Sequence, residues 1–145
     1  MPEVVDPVLG LYRAVVLDHY RRPRNREPLA AHDGSATVSN PVCGDQVRVE
    51  VRRADSAIRA ISARARGCSV AVAAASVMTE LVKGGDAARA ASLRAVLEHI
   101  VAGEPAPAGA DERLRAFAGV APHPSRHRCA LLAWEALEEA LRPPA

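Results

Sequence analysis

Asn40-Pro41-Val42-Cys43-Gly44-Asp45 is the stretch from which the fold of this chain can be worked out. It places a thiol and a carboxylate two residues apart, with a glycine between them that tolerates a sharp turn. The side chains of Cys43 and Asp45 can therefore converge on one ion. Two further cysteines, Cys68 and Cys129, lie downstream. Three cysteines and one aspartate supply four anionic ligands, the number that a tetrahedral zinc ion requires.

The composition favours a helix-rich protein. At 145 residues the chain is long enough to bury a core, and we expect one domain spanning residues 1–145. Apolar residues make up 49% of the chain and aromatic residues only 3%, a balance that suits alanine-rich packed helices. The net charge is +2, with basic residues scattered among acidic ones, so no binding to nucleic acid is expected.

Sequence features also predict a cytoplasmic location. No apolar run approaches the roughly 20 residues of a membrane span, so no membrane association is expected. Residues 1–6 lack the basic start and apolar centre of a signal peptide. Three cysteines is an odd count, which fits reduced thiols acting as ligands or nucleophiles better than a disulfide framework.

Alternating apolar and polar residues predict three antiparallel strands. Residues 46–52 place valines at every second position, and a second alternation runs over residues 58–65. A turn at residues 54–56 separates the two, and a further strand is expected over residues 36–40, before the Cys43 turn. A sheet with one apolar face needs helices to cover that face.

Helical spacing predicts about five helices. The first follows the capping pair Asp6-Pro7, and Pro143-Pro144 ends the last. The predicted helices are one that ends before Pro23, one over residues 69–83, one capped by Asp86 and carrying Leu93 to Val101, a short one over 111–118, and one carrying Ala130, Trp134, Leu137 and Leu141. Residues 122–125 are expected to be extended or turned. The fold class is therefore α+β, with a small three-stranded antiparallel sheet covered by about five helices.

The chemistry of the cysteines leaves alternatives open. A lone cysteine in an apolar chain is usually a small core residue, and a zinc ion held by cysteines is often structural. Against this, Gly67 before Cys68 permits close backbone approach, and an aspartate is an exchangeable ligand that suits a reactive site. Cys129 lies near the start of the last helix, where the helix dipole is expected to lower the pKa of its thiol. The residues by themselves predict a reactive thiolate–metal site.

The histidines have no partner motif. We expect His19, His32 and His99 to be surface residues. His127 is two residues before Cys129, so the two side chains should point to different faces of a helix.

Five segments together form a recognisable pattern: Leu11-Tyr12-Arg13, Asp18-His19-Tyr20-Arg21-Arg22-Pro23-Arg24-Asn25, Asn40-Pro41-Val42-Cys43-Gly44-Asp45, Gly67-Cys68-Ser69 and Arg126-His127-Arg128-Cys129-Ala130-Leu131-Leu132-Ala133-Trp134. They resemble SufU, a branch of the IscU/NifU N-terminal superfamily of iron–sulfur cluster assembly proteins, over about residues 8–142. IscU-type scaffolds have a histidine immediately before the last cysteine and a shorter stretch between the second and third cysteines. Here Arg128 occupies that position, and residues 68–129 hold an additional helix and a loop at 103–109. Both features resemble SufU.

The resemblance implies a zinc-dependent sulfurtransferase that accepts persulfide sulfur from a SufS-type cysteine desulfurase and activates that enzyme. It implies zinc as the cofactor, with Cys43, Asp45, Cys68 and Cys129 as the metal ligands. Cys43 would also be the catalytic persulfide acceptor, freed when a histidine of the desulfurase takes over a zinc coordination position. The sulfur would then pass to a downstream iron–sulfur scaffold.

A second catalytic position follows from the same resemblance. Arg126 matches the family's arginine three residues before the last cysteine, and it is expected to pair with Asp45 or to steady the freed thiolate. His127 departs from the apolar residue that the family often has at this position. Residues 21–26 and the 103–109 loop are candidate docking surfaces for the desulfurase.

Two other functions stay open on the sequence. One is an IscU-type scaffold that assembles a [2Fe–2S] cluster on the same four ligands. The other is a small helical interaction domain with a structural zinc ion. The ligand set alone does not separate them from the sulfurtransferase, because an aspartate in place of a thiolate also suits a labile cluster.

Overall fold

The computed structural model describes residues 7–142, with side chains for residues 13–142. The predicted capping residue Asp6 and the terminating pair Pro143-Pro144 lie outside the described residues. The elements are α1 (Pro7–Arg21), β1 (Gly34–Asn40), β2 (Asp45–Ala54), β3 (Ala57–Arg66), α2 (Ser69–Val82), α3 (Ala87–Val101), α4 (Glu112–Arg115, continued by a 3₁₀ turn over Ala116–Val120) and α5 (Pro124–Leu141). The predicted α+β class is confirmed. No helix in residues 7–142 has the length and apolar character needed to cross a membrane.

The sheet is antiparallel with strand order β1-β2-β3, as the alternation predicts. Val47, Val49 and Val51 are fully buried on its inner face. α5 packs on β1 and β2, and α2 packs on β3 and α1. The helices therefore cover the apolar face, and the polar face carries the cross-strand pair Arg48 and Arg64.

Strand β1 begins two residues earlier than predicted, at Gly34. A Cβ atom at this position would lie 2.1 Å from the carbonyl oxygen of Ala140 on α5. The glycine lets the helix backbone approach the strand closely. A pattern of apolar residues cannot reveal such a contact, because the glycine contributes no side chain to the pattern.

Helix α1 turns His19, and not Tyr20, toward the core. Tyr20 is 44% exposed, whereas His19 is only 4% exposed, so the prediction of a surface histidine at position 19 is wrong. His19 Nδ1 lies 2.7 Å from Ser76 Oγ on α2, and this hydroxyl also accepts a hydrogen bond from the backbone N–H of Arg24 at 2.9 Å. A buried polar partner, absent from any local pattern, compensates for the desolvation of the imidazole. His32 and His99 are exposed, as predicted.

Helix α5 begins at Pro124, so the expectation of an extended or turned segment is wrong for Pro124 and Ser125. Proline fits the first turn of a helix because its missing N–H would have no partner there. The two extra residues place Cys129 in the second turn of α5.

Candidate metal centre

Four predicted site residues come from three separate parts of the fold. Cys43 lies on the tight loop between β1 and β2, and Asp45 is the first residue of β2. Cys68 is the N-cap of α2, directly after β3. Because β2 and β3 are antiparallel and Gln46 pairs with Arg66, the start of β2 and the end of β3 share one end of the sheet. Helix α5 brings Cys129 to the same end.

The three thiols and the carboxylate form one cluster, in which Cys43 contacts Cys129 and Cys68 contacts Asp45. The Sγ atoms of Cys43 and Cys129 are 3.5 Å apart. Cys68 Sγ lies 3.2 Å from Asp45 Oδ2, and the Cys68 backbone N–H donates to Asp45 Oδ1 at 2.9 Å. The possible ligand atoms of Cys43, Asp45 and Cys129 all lie within 4.8 Å of one another. Cys68 joins this group through its contact with Asp45.

The ligands differ sharply in their access to solvent. Asp45 and Cys129 are each 1% exposed. Cys68 is half-buried, and Cys43 is exposed. Val42, the neighbour of Cys43, is 90% exposed. The site is therefore shielded from solvent at Asp45 and Cys129 and accessible to solvent at the thiol of Cys43.

Hydrogen bonds at the centre stabilise the anionic form of Asp45. Burial raises the pKa of the Asp45 carboxyl, but hydrogen bonds from the thiols of Cys129, Cys43 and Cys68 and from the Cys68 backbone outweigh burial and leave the pKa below its usual value. Burial, followed by the neighbouring Asp45 carboxylate, raises the pKa of the Cys129 thiol. The predicted lowering by the helix dipole is wrong, since the dipole acts within the first turn and Cys129 lies in the second.

The donor set fits zinc. A tetrahedral zinc ion holding two thiolates at the usual bond length separates their sulfur atoms by about 3.8 Å, close to the 3.5 Å between Cys43 and Cys129. A cation at this point would replace the thiol protons that now form hydrogen bonds to Asp45. Cys43, Asp45, Cys68 and Cys129 are the residues that would hold it.

Two glycines make this geometry possible. Gly44 has φ 76°, which allows Cys43 and Asp45 to lie on either side of a tight turn. Gly67 has φ 132°, and a Cβ atom there would lie 1.9 Å from Asp45 Oδ1. Asp45 was predicted only as a ligand, and its bond to the Cys68 backbone was not predicted. The glycine before Cys68 was the available signal for this close contact.

We expect Gly67→Ala to remove most of the bound zinc, because the methyl group occupies the position of the Asp45 carboxylate. Gly84→Ala is the matched control, since Gly84 also has positive φ (89°) but would place its Cβ in open space. It should cost about 1–2 kcal/mol of stability and keep its zinc. Zinc is measured by elemental analysis and the folded fraction by circular dichroism. Equal zinc per folded molecule in both variants would contradict this role of Gly67.

Arg126 and His127 lie beside the centre without contacting Asp45. Arg126 is exposed in the first turn of α5, and within the described residues it forms no ion pair with Asp45. The predicted pairing is therefore not seen, and the role of Arg126 at a freed thiolate stays a prediction. His127 Nε2 lies 2.9 Å from the carbonyl oxygen of Ala121, which turns its ring away from Cys129 as expected.

These features define the class of protein as an α+β domain with a thiol-rich candidate metal centre at one end of a three-stranded sheet. The family model of the NifU-like N-terminal domain matches residues 11–143. The chain belongs to this family.

Named relatives fall on both branches of the superfamily. The zinc-dependent sulfurtransferase SufU of Bacillus subtilis (strain 168) is 34% identical over 131 residues, which cover 89% of this chain and 88% of SufU. The iron–sulfur cluster assembly scaffold protein IscU of Streptococcus pyogenes serotype M1 is 36% identical over 135 residues, which cover 91% of this chain and 83% of IscU. Both cover most of the chain, so identity alone does not choose between them.

A solved structure supports the fold. The N-terminal part of a nitrogen-fixing NifU-like protein from Brucella abortus superposes with a TM-score of 0.82 at 26% identity. The match covers 90% of this chain and 92% of that one.

Proposed function

We propose that this protein is a zinc-dependent sulfurtransferase in iron–sulfur cluster assembly, which accepts persulfide sulfur on Cys43 from a SufS-type cysteine desulfurase and activates that enzyme. The observation that carries the proposal is the difference in exposure among the three thiols. Cys43 is exposed on a loop while Cys129, 3.5 Å away, is buried. A bulky protein donor can therefore reach only one side of the centre, and Cys43 lies there.

Sulfur transfer needs a nucleophilic thiolate and a persulfide. When bound, zinc would keep the Cys43 sulfur deprotonated and shield it from unwanted oxidation. The freed Cys43 thiolate attacks the terminal sulfur of the donor persulfide. A new S–S bond forms to Cys43, the S–S bond in the donor breaks, and the donor cysteine leaves as a thiolate. Electrons balance without any external oxidant.

The remaining residues have distinct tasks in this scheme. Asp45 and Cys129 stay in place because both are buried, Asp45 at the start of β2 and Cys129 on α5. Gly44 supplies the backbone freedom that lets Cys43 move outward. Arg126 lies one turn before Cys129 on α5 with its guanidinium exposed, a position from which it can steady an anionic Cys43 once the thiolate is freed.

Arg128 favours the sulfurtransferase over the scaffold. IscU-type scaffolds have a histidine at this position, which offers a further ligand beside the last cysteine. Arg128 cannot serve as a ligand, and its Nε lies 3.5 Å from a carboxylate oxygen of Glu135 further along α5. The cluster-scaffold function remains a second candidate, supported by the 36% identity to the Streptococcus pyogenes IscU. It predicts a stable coloured cluster after anaerobic loading with iron and sulfide.

We expect wild-type protein carrying about one zinc ion to accelerate sulfide release by the desulfurase, whereas Cys43→Ala does not. Val42→Ala is the matched control, because Val42 is also exposed on the same loop but carries no thiol. Desulfurase turnover on cysteine is measured alongside zinc content. If Cys43→Ala activates as well as wild type, Cys43 is not the acceptor. The scaffold function is favoured in that case.

We infer that the transfer takes place in the cytoplasm and that the sulfur passes from Cys43 to a downstream iron–sulfur scaffold. That acceptor is identified by incubating persulfidated protein with candidate scaffolds and measuring the loss of sulfur from Cys43 by mass spectrometry.

A further inference from the structure

A groove of about 600 Å³ lies next to the metal centre and plays no part in the chemistry described above. It runs between the end of α1, the turn that follows it, strands β2 and β3, and helix α2. Five of its lining residues are arginines, and we call it the arginine groove: Arg21, Arg26, Arg48, Arg64 and Arg66. The described residues that line it include no carboxylate.

Most of the positive charge in the groove is not neutralised by the side chains of residues 13–142. Arg48 alone has a partner, since its guanidinium lies 3.1 Å from Glu50. Within residues 13–142, the other four arginines of the groove form no ion pair, and all four are exposed. The positive charges of these four arginines exceed the net charge of the whole chain, which is +2. The groove is therefore a local positive field on a nearly neutral molecule.

The arrangement of the charges is unfavourable for the isolated protein. Arg48 and Arg64 lie directly opposite each other on β2 and β3, and Arg66 follows on the same face. Like charges in directly opposed positions destabilise a sheet. An anionic partner bound in the groove would relieve this repulsion, so the groove has the charge pattern of a binding surface.

The groove is also built on a fixed frame. The turn after α1 is pinned to α2 by the hydrogen bonds of Ser76 and by Asn25 Nδ2, which donates to Thr79 Oγ1 at 3.0 Å. The Asn25 carbonyl accepts from the backbone N–H of Ala63 on β3 at 2.9 Å. Arg21 and Arg26 are therefore held beside the sheet. A preformed surface loses less conformational entropy on binding than a flexible one.

Proximity to Cys43 identifies the occupant. Gln46 lines the groove and directly follows Asp45, while Arg66 lines it and lies two residues before Cys68. A protein that brings a persulfide to Cys43 can therefore extend over this surface. Tyr20, an exposed aromatic residue at the rim, adds the kind of apolar anchor that is enriched at protein interfaces.

We propose that the arginine groove is the docking surface for an acidic segment of the cysteine desulfurase, which it aligns for sulfur transfer to Cys43. This inference rests on the proposed function. Arginine suits carboxylates because its planar guanidinium binds them through two parallel hydrogen bonds. The field of the groove would also raise the rate of encounter, an effect that weakens with salt.

The test compares Arg64→Glu/Arg66→Glu with a charge-matched control, Arg52→Glu/Arg59→Glu. The control residues lie at the hairpin end of the same two strands, are exposed, and do not line the groove. Binding to immobilised desulfurase is measured at about 50 mM and about 300 mM salt, where screening differs strongly. Desulfurase turnover and zinc content are measured on the same samples.

We expect the groove variant to bind at least about tenfold more weakly than wild type at low salt, with unchanged zinc content and near-normal turnover at saturating concentration. The control variant should change binding by less than about twofold, and salt should weaken wild-type binding far more than binding of the groove variant.

Equal binding by the two variants overturns the docking proposal even if Cys43-dependent activation stands. Conversely, selective loss of binding by the groove variant upholds docking even if wild type fails to accelerate turnover. The docking proposal is also overturned if the wild-type protein does not bind the desulfurase, or if the groove binds a nucleic-acid oligonucleotide in preference to the desulfurase.

Discussion

Replacing Cys129 with alanine is expected to weaken zinc binding by about a hundredfold or more. The free energy of binding a structural zinc ion is about 10–16 kcal/mol, so each of four ligands contributes about 3 kcal/mol. Cys129 is the buried thiol of the centre, with its Sγ 3.5 Å from that of Cys43. Alanine leaves no replacement donor, because the compact ligand group among the described residues consists of Cys43, Asp45 and Cys129. Competition with a chromophoric chelator measures the affinity.

Two controls separate the loss of a ligand from the loss of packing. Cys129→Ser keeps the side-chain volume but replaces the thiolate, so it should lose zinc to the same extent as Cys129→Ala. Ser125→Ala changes an exposed residue on the same helix and should bind zinc like wild type. Wild-type zinc affinity in Cys129→Ala would remove Cys129 from the ligand set, and the four-ligand centre with it.

The strands and most helices could be predicted from the sequence because their signals are local. The alternating valines of β2 lie within seven residues, and the glycine pair Gly84-Gly85 follows α2 directly after the predicted helix over residues 69–83. The convergence of Cys43 and Asp45 was equally local, because Gly44 lies between them. The roles of Arg126 and of the ligand set stay predictions, as does the single domain spanning residues 1–145.

The features that could not be predicted from the sequence depend on contacts between residues that are distant along the chain. The burial of His19 depends on Ser76, which is 57 residues away. Gly34 begins β1 because the Ala140 carbonyl leaves no room for a side chain. The arginine groove joins Arg21 and Arg26, from the segment 21–26 that the sequence indicates as a candidate docking surface, to arginines of β2 and β3 that no basic run reveals. Patterns with a period of two or 3.6 carry no information about such pairings.

Replacing Trp134 with alanine is expected to lower the free energy of unfolding by about 3–5 kcal/mol. Trp134 is the only tryptophan in the chain and is 2% exposed. Together with Leu137 it lines a groove of about 520 Å³ between α3 and α5, whose α3 side includes the small residues Ala90 and Ala91. Thermal unfolding followed by circular dichroism measures the loss, because tryptophan fluorescence disappears with the mutation. Glu138→Ala, an exposed change at the rim of the same groove, should alter stability by less than about 0.5 kcal/mol.

The effect of zinc on this variant tests whether the core and the metal centre are independent. Cys129 and Trp134 share α5 but contact different partners, one at the end of the sheet and the other at α3. Effects at sites without shared partners usually add. Since zinc stabilises a protein by binding its native state, saturating zinc should stabilise Trp134→Ala by the same free energy as wild type. A much smaller zinc effect in the variant would mean that the packing of α5 on α3 positions Cys129, so that the hydrophobic core itself sets the affinity for the metal.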